Sequence, residues 1–380
     1  MRCARAYKCV RSPRAPRLRA GTATRTTRPP TPTRTTYKNT HKKSSQLNKN
    51  NKRNRGTLDM NDAELYQQSN KLQKRDALQC LKEYEKKLRW KSSERVLDIG
   101  CGDGGVTTDI LRQFIPKDFA ALTGCDISEK MVNFANAHHG DHRIQFVVLD
   151  IEGDLPADFV RGFDHAYSFY TLHWIHDQDR ASKNIYDLLA DDGECLLIFL
   201  GHMPLFDVFR SLARWPKWRE WLRDVDRFIS PYHDSQDPEK DIKRLMAKTG
   251  FRNITVKIKE KSFIYNSPQD CKNAVSAVNP FKMSRPVEEE FLQDYMQLVR
   301  QMRLIDQVNN NLDETIKTDY TLIVAYGRKE GKKDDDRLSL ARDVGLAEEF
   351  STILDLERQA PAPSSQCQWS AATLSEGDLA

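Results

Sequence analysis

The sequence ERVLDIGCGDGG occupies residues 94–105. Val96, Leu97 and Ile99 make a short apolar run with β-branched members, the pattern of a strand covered on both faces. Gly100, Gly102 and Gly104 follow at alternate positions, and Val106, Ile110, Leu111 and Phe114 then recur at helical spacing. A strand that passes through a glycine turn into a helix is the opening unit of a parallel α/β sheet. Glycine suits a backbone that turns sharply beneath a ligand, because no Cβ stands in the way. The spacing is tighter than the dinucleotide pattern G-x-G-x-x-G, and an acid, Asp98, closes the strand. Taken alone, the stretch is also compatible with an ordinary glycine turn in another α/β protein.

Residues 98–104 resemble motif I of the class I S-adenosylmethionine (SAM)-dependent methyltransferases. A carboxylate at the strand end suits a sulfonium ligand with a free amino group, whereas it would repel a pyrophosphate. Downstream, residues 121–126 read as a second strand that ends in Asp126, at the spacing expected for a ribose-hydroxyl ligand. Ser128 is placed to cap the helix that follows. Residues 144–149 make a third strand, followed by Asp150 and Ile151; in the methyltransferases this acid accepts from the adenine amino group and its apolar neighbour packs on the ring. Three strand-end acids in register are much harder to obtain by chance than one glycine motif. The resemblance implies SAM as cofactor, held by Asp98, Gly100, Gly102, Gly104, Asp126, Ile127, Asp150, Ile151 and Ser168. It also implies a Rossmann-like, seven-stranded, mostly parallel sheet with helices on both faces.

The remaining elements fit that plan. Residues 60–92 carry leucines among Lys, Glu and Gln and read as helical. Residues 162–169, 195–200, 254–265 and 317–326 supply strands four to seven. Two helical cap insertions are expected, one after strand five (202–236) and one between strands six and seven (266–310). In the first, Trp215, Trp218 and Trp221 recur every third residue, which suits either a packed helix face or a pocket wall. Trp215 is the candidate for substrate contact.

Of 60 Lys and Arg, 17 fall within residues 1–59, which hold a single acid, so the net charge of +6 comes from this extension and the remainder is acidic. That argues against nucleic acid as the main partner. Residues 1–59 are rich in Arg, Thr, Pro and Asn and cannot build a core. They are compatible with an inert extension ahead of Met60, a mitochondrial transit peptide, a nuclear or nucleic-acid tether around residues 49–55, or a lead to a membrane surface. Repeated prolines interrupt any amphipathic helix and favour the first. The catalytic domain is expected over 60–330, and residues 331–380 read as a low-order tail. No apolar stretch is long enough for membrane insertion. The eight cysteines form no CxxC pair, which suits a reducing, cytoplasmic setting without a structural metal.

The loop after strand four, SFYTLHW (168–174), lacks the Asn/Asp-Pro-Pro-Tyr/Phe motif of amino-methylating enzymes, and Asn279-Pro280-Phe281 lies too far downstream to replace it. A carboxylate acceptor accounts for that absence. It is already ionised at neutral pH and requires alignment with the methyl donor and exclusion of water, not a general base. Neutral N–H donors can orient it without neutralising it, and Gln73 and Trp174 offer such groups.

From Met60 to about Lys329 the chain is similar to the insect juvenile hormone acid O-methyltransferases, through LYQQSNKLQKRDA (65–77), DISEKMV, SFYTLHWIHDQ (168–178), NIYDLL (184–189), FISP (228–231) and VNPF (278–281). The resemblance implies methyl esterification of a sesquiterpenoid acid, juvenile hormone acid or farnesoic acid, with Gln73 and Trp174 orienting the carboxylate and His173 beside it. Asp103 departs from the family, which more often has Ser there. Other readings are a paralogue for another small or fatty acid, an RNA methyltransferase using the basic extension, and a non-catalytic partner protein with the same fold.

Overall fold

The computed structural model describes residues 62–303, 305–306 and 314–331. The extension 1–59 and, apart from Gly331, the tail 331–380 lie outside the described residues.

The sheet holds β1 (Arg95–Ile99), β2 (Ala121–Asp126), β3 (Ile144–Val148), β4 (Phe163–Phe169), β5 (Leu189–Leu200), β6 (Arg252–Tyr265) and β8 (Thr315–Arg328). Their order is β3-β2-β1-β4-β5-β8-β6, and the two-residue β7 (Ile305–Asp306) pairs with β8 off this path. The first five strands are parallel, whereas β8 is antiparallel to both β5 and β6. Leu200 pairs with Leu322 and Glu194 with Arg328, so β8 enters at the carboxyl end of the parallel strands. The expected seven-stranded, mostly parallel sheet is what the chain forms. Strand order reverses at β1, which opens a crevice at the carboxyl ends of β1, β2 and β4, where an α/β sheet binds ligand.

Alternation along the strands explains the layers. Leu196, Ile198 and Leu200 of β5 join one core cluster, whereas Cys195, Leu197 and Phe199 join the other. On the first face lie α2 (Lys71–Tyr84), α4 (Glu129–His139), α6 (Pro204–Ala213) and α9 (Arg285–Gln301); on the second lie α5 (Gln178–Leu188) and α7 (Pro238–Thr249). Both faces of the central strands are buried, which is why the CLLIFL end of β5 reads as a continuous apolar run, whereas the edge strand β6 alternates with Lys and Glu.

Three expectations about helices are corrected. Within residues 62–92 the chain forms two helices, α1 (Ala63–Ser69) and α2, broken at Asn70, and the second ends at Tyr84. Residues 202–236 are not one helix: α6 ends at Ala213, and turns lead to a 3-10 segment at Val225–Phe228. The three tryptophans therefore share no face. Trp218 is core, with its indole N–H donating to Asp294 at 2.9 Å; Trp221 is 44% exposed; Trp215 is half-buried against the first core. Residues 266–310 hold α8 (Pro268–Ala277) and α9, followed by the unforeseen β7.

Candidate active site

The turn after β1 is built around backbone conformations that L side chains rarely adopt. Gly100, Gly102 and Gly104 have φ of 73°, 54° and 82°. At Gly100 a Cβ would stand 1.9 Å from Thr171 Oγ1, so the turn and the loop after β4 touch backbone to side chain. Thr171 also donates to the Gly100 carbonyl at 3.2 Å.

Acids gather around this turn. Asp98, 1% exposed, accepts from Thr107 Oγ1 at 2.6 Å through one oxygen, and its other oxygen is buried without a partner among the described residues. Burial, reinforced by nearby Asp126, raises its pKa to about 7 against the pull of the Thr107 hydrogen bond. Asp126 at the end of β2 accepts from Gly102 N–H at 3.0 Å and Ser128 N–H at 2.8 Å. Burial lifts its pKa and those backbone donors oppose the rise. Ser128 caps α4 as expected, accepting from Met131 N–H. Asp103 is fully buried; one oxygen accepts from Gly105 N–H at 3.2 Å and the other lacks a partner among the described residues.

Ile127 is 55% exposed beside Asp126 and presents a free apolar surface. Ile151 is instead buried in the second core, and Asp150 accepts from Glu152 N–H at 2.9 Å. Ser168 is fully buried and its hydroxyl donates to the Ile99 carbonyl at 3.0 Å, so it braces β4 against β1.

The N-terminal helices contribute groups that the sequence reading passed over. A Cβ on Gly102 would lie 3.4 Å from the Tyr66 ring, which places α1 over the glycine turn. Burial first, then the charges of Asp103, Asp126 and Asp98, push the Tyr66 hydroxyl far above its usual range. Asn70 occupies the N-cap position of α2 yet makes no capping bond; it is 1% exposed, and both its amide oxygen and nitrogen lack partners among the described residues. The Gln73 side-chain oxygen is likewise buried and unpartnered. The chain breaks between α1 and α2 at Asn70, so the spacing of Tyr66, Asn70 and Gln73 marks no common helix face, and of the three only Gln73 is a candidate from the sequence.

Such orphaned groups are costly, about 1–3 kcal/mol each, unless a ligand or water answers them. Together they present acceptors for an ammonium and hydroxyls, and an amide able both to donate and to accept. That set fits the zwitterionic, ribose-bearing SAM molecule.

After β4, Leu172–Trp174 forms one 3-10 turn. His173 is 2% exposed, and its Nδ1 accepts from Leu200 N–H at 3.3 Å, which assigns the proton to Nε2. Burial lowers its pKa to about 3, so the ring is a neutral donor and no general base. The Trp174 ring is half-buried, 4.9 Å from His173 and edge-on to Phe206 at 5.9 Å. Phe281 of the downstream Asn-Pro-Phe packs against Phe209, Phe228 and Phe291, within the cap core. His202, Asp207 and His233 bring possible metal-ligand atoms within 4.8 Å of one another. His233 Nδ1 accepts from Met203 N–H, which puts the proton on the Nε2 facing Asp207 and leaves no lone pair there for a metal.

The sheet order, the glycine turn and the strand-end acids define a class I SAM-dependent methyltransferase. A family model described as "Methyltransferase domain" matches residues 97–195. A juvenile hormone acid O-methyltransferase of Bombyx mori is 55% identical over 273 residues, covering 71% of this chain and 98% of the relative. One of Drosophila melanogaster is 38% identical over 277 residues, covering 71% and 93%. A malonyl-[acyl-carrier protein] O-methyltransferase of Ilyobacter polytropus is 32% identical over 124 residues, 32% of this chain and 44% of that protein. The chain belongs to the juvenile hormone acid O-methyltransferase family. It is an enzyme that uses SAM, and none of its described helices is long and apolar enough to cross a membrane.

Proposed function

We propose that the enzyme methylates the carboxylate of a sesquiterpenoid acid, juvenile hormone acid or farnesoic acid, in juvenile hormone biosynthesis. The observation that carries this reading is the state of His173, the imidazole beside the proposed donor Trp174. His173, the imidazole of the LHW turn, is neutral with its Nδ1 lone pair already engaged, so an acceptor needing deprotonation would find no help there. An ionised carboxylate needs none.

SAM, when bound, supplies a methyl group on a sulfonium; that carbon–sulfur bond breaks as a carboxylate oxygen forms the ester, releasing S-adenosylhomocysteine. The chain's own part is to hold and align. Asp98 answers the ammonium, Asp126 the ribose hydroxyls, and Tyr66 closes over the glycine turn. Asp150 and the exposed Ile127 serve the adenine end, whereas Ile151, packed in the second core, supports them from beneath. Gln73 and Trp174 donate N–H groups to the substrate carboxylate without neutralising it, with His173 Nε2–H as a third neutral donor. Trp215, half-buried against the first core, is the candidate to line the chain of the acid. Burying about ten carbons is worth on the order of 8 kcal/mol gross, from which ordering costs are subtracted. Long acids are therefore preferred over short ones.

Labelled-methyl transfer from SAM to carboxylic acids graded in chain length tests the proposal. A base-labile methyl ester formed fastest with C15 acids is expected. Equal rates on short and dicarboxylic acids, or none on farnesoic and juvenile hormone acid, would remove the sesquiterpenoid assignment.

A further inference from the structure

One buried carboxylate joins the two elements that carry the proposed carboxylate-orienting groups. Asp76 is fully buried on α2, one helical turn beyond Gln73. One of its oxygens accepts from the Tyr170 hydroxyl at 2.6 Å and from the Tyr320 hydroxyl. The other meets Lys261 Nζ at 2.8 Å and Arg75 Nε at 3.0 Å. Arg75 extends the network to Tyr320 at 2.6 Å and to the Ser262 carbonyl at 2.8 Å. The ligand end of the sheet, α2 and the loop after β4 thus share a single charge centre. Burial works against the ionised form, and the donors from Lys261, Tyr170 and Tyr320 outweigh it, holding the carboxyl below its ordinary value.

Tyr170 is where this matters. Its φ is 59°, a conformation that costs a bulky side chain about 1–3 kcal/mol and persists only where its surroundings enforce it. Its N–H donates to the Ile198 carbonyl at 2.7 Å, and its hydroxyl to Asp76, so the residue is pinned at both ends. From that strained residue the chain enters the 3-10 turn, and the Tyr170 ring meets His173 edge-on at 6.0 Å, which in turn packs on Trp174. On the helix side, Gln73 and Asp76 are held in fixed relation by the α2 backbone.

We infer that Asp76, with Tyr170, is a positioning residue for methyl transfer: it sets the register between the helix bearing Gln73 and the loop bearing Trp174. The inference rests on the carboxylate-orienting roles proposed above. A network needed only for stability would show in melting temperature. A network needed for register shows in turnover, because misplacing a reacting group by about 1 Å costs as much as a hundredfold in rate.

The test compares two tyrosines, each with a buried hydroxyl donated to a carboxylate. Tyr170→Phe removes the bond to Asp76 and keeps the ring. Tyr326→Phe removes a 2.7 Å bond to Glu194 at the opposite end of β8. Both should lower the melting temperature by similar amounts. Tyr170→Phe should lower kcat for farnesoic acid between about ten- and a hundredfold. Its S-adenosylhomocysteine affinity, read by calorimetry, should stay within about twofold, and Tyr326→Phe should keep kcat. If Tyr170→Phe does not fold, Tyr320→Phe, which strips the other hydroxyl from the same oxygen, carries the same expectation. Unchanged kcat in the folded variant overturns the inference. Gln73→Ala and Trp174→Phe are measured in parallel. If these two retain full rate, the carboxylate reading itself has failed; if they lose rate while Tyr170→Phe does not, only the positioning role has.

Discussion

Thr107 Oγ1 donates to one oxygen of Asp98 at 2.6 Å and leaves the other oxygen buried and bare. With its pKa raised to about 7, Asp98 is largely protonated at mildly acid pH in the folded protein and ionised in the unfolded chain. Stability contributed by this group is therefore lost as pH rises from about 4 towards 7. An ammonium beside the bare oxygen requires the ionised form, so binding must expel the proton. Affinity for S-adenosylhomocysteine should rise nearly tenfold per pH unit up to about 7 and level above it, with one proton released on the acid side. Calorimetry in two buffers of different ionisation enthalpy reads that proton directly. A flat affinity from pH 5.5 to 8.5 would take Asp98 out of the site.

At saturating SAM the picture differs. His173, with a pKa of about 3, cannot contribute a base limb near neutrality, and the acid substrate is already ionised. The turnover number should be level between about pH 6 and 9 while the specificity for SAM follows Asp98. A rising limb in kcat near pH 7 would instead require an essential base.

Asp126→Ala should cost SAM affinity about tenfold or more, since hydrogen bonds to a charged group are worth roughly 1.5–3 kcal/mol. It should also lower the melting temperature, because Asp126 ties Gly102 and Ser128 as well. Titration of the folded variant with S-adenosylhomocysteine separates the two effects. Undiminished affinity there would mean that Asp126 serves the loop alone.

Gly100→Ala should be more damaging than its size suggests. The positive φ alone costs about 1–2 kcal/mol, and the methyl group would overlap Thr171. Thr171→Gly in the same chain relieves the overlap and leaves the backbone strain, so stability should return only in part. Full recovery would show that the contact, not the φ, selects glycine.

Trp174→Phe keeps a ring and deletes the indole donor; Gln73→Ala deletes the amide. Each should lower kcat with farnesoic acid about tenfold or more, with cofactor affinity and melting temperature little changed. Steady-state rates alongside thermal melts decide the matter, and retention of full rate in both variants would end the proposed role of the pair.

The parallel sheet was readable from the sequence because each of its signals is local. A strand covered on both faces is a run such as VLDI, and the ligand turn must follow at once. The strand-end acids Asp98 and Asp126 could be picked out as candidates because the carboxyl end of every parallel strand faces one crevice, whatever the loops do. Gln73 and Trp174 are candidates because each offers an uncharged N–H donor and because LQKRD and LHW match the family resemblance. Periodicity misled at the tryptophans, since a spacing of three describes a face only while the helix continues, and α6 ends at Ala213. Tyr66 over Gly102, the neutral state of His173 and the convergence on Asp76 had no sequence signature. Tyr170 and Tyr320 reach Asp76 from 94 and 244 residues away. Such meetings depend on sheet order and on which strand end each side chain occupies, and burial sets a protonation state only after the packing is complete. Local backbone chemistry made this chain an α/β cofactor binder; only the long-range packing brought α2, the β4 loop and β8 together around one carboxylate, Asp76.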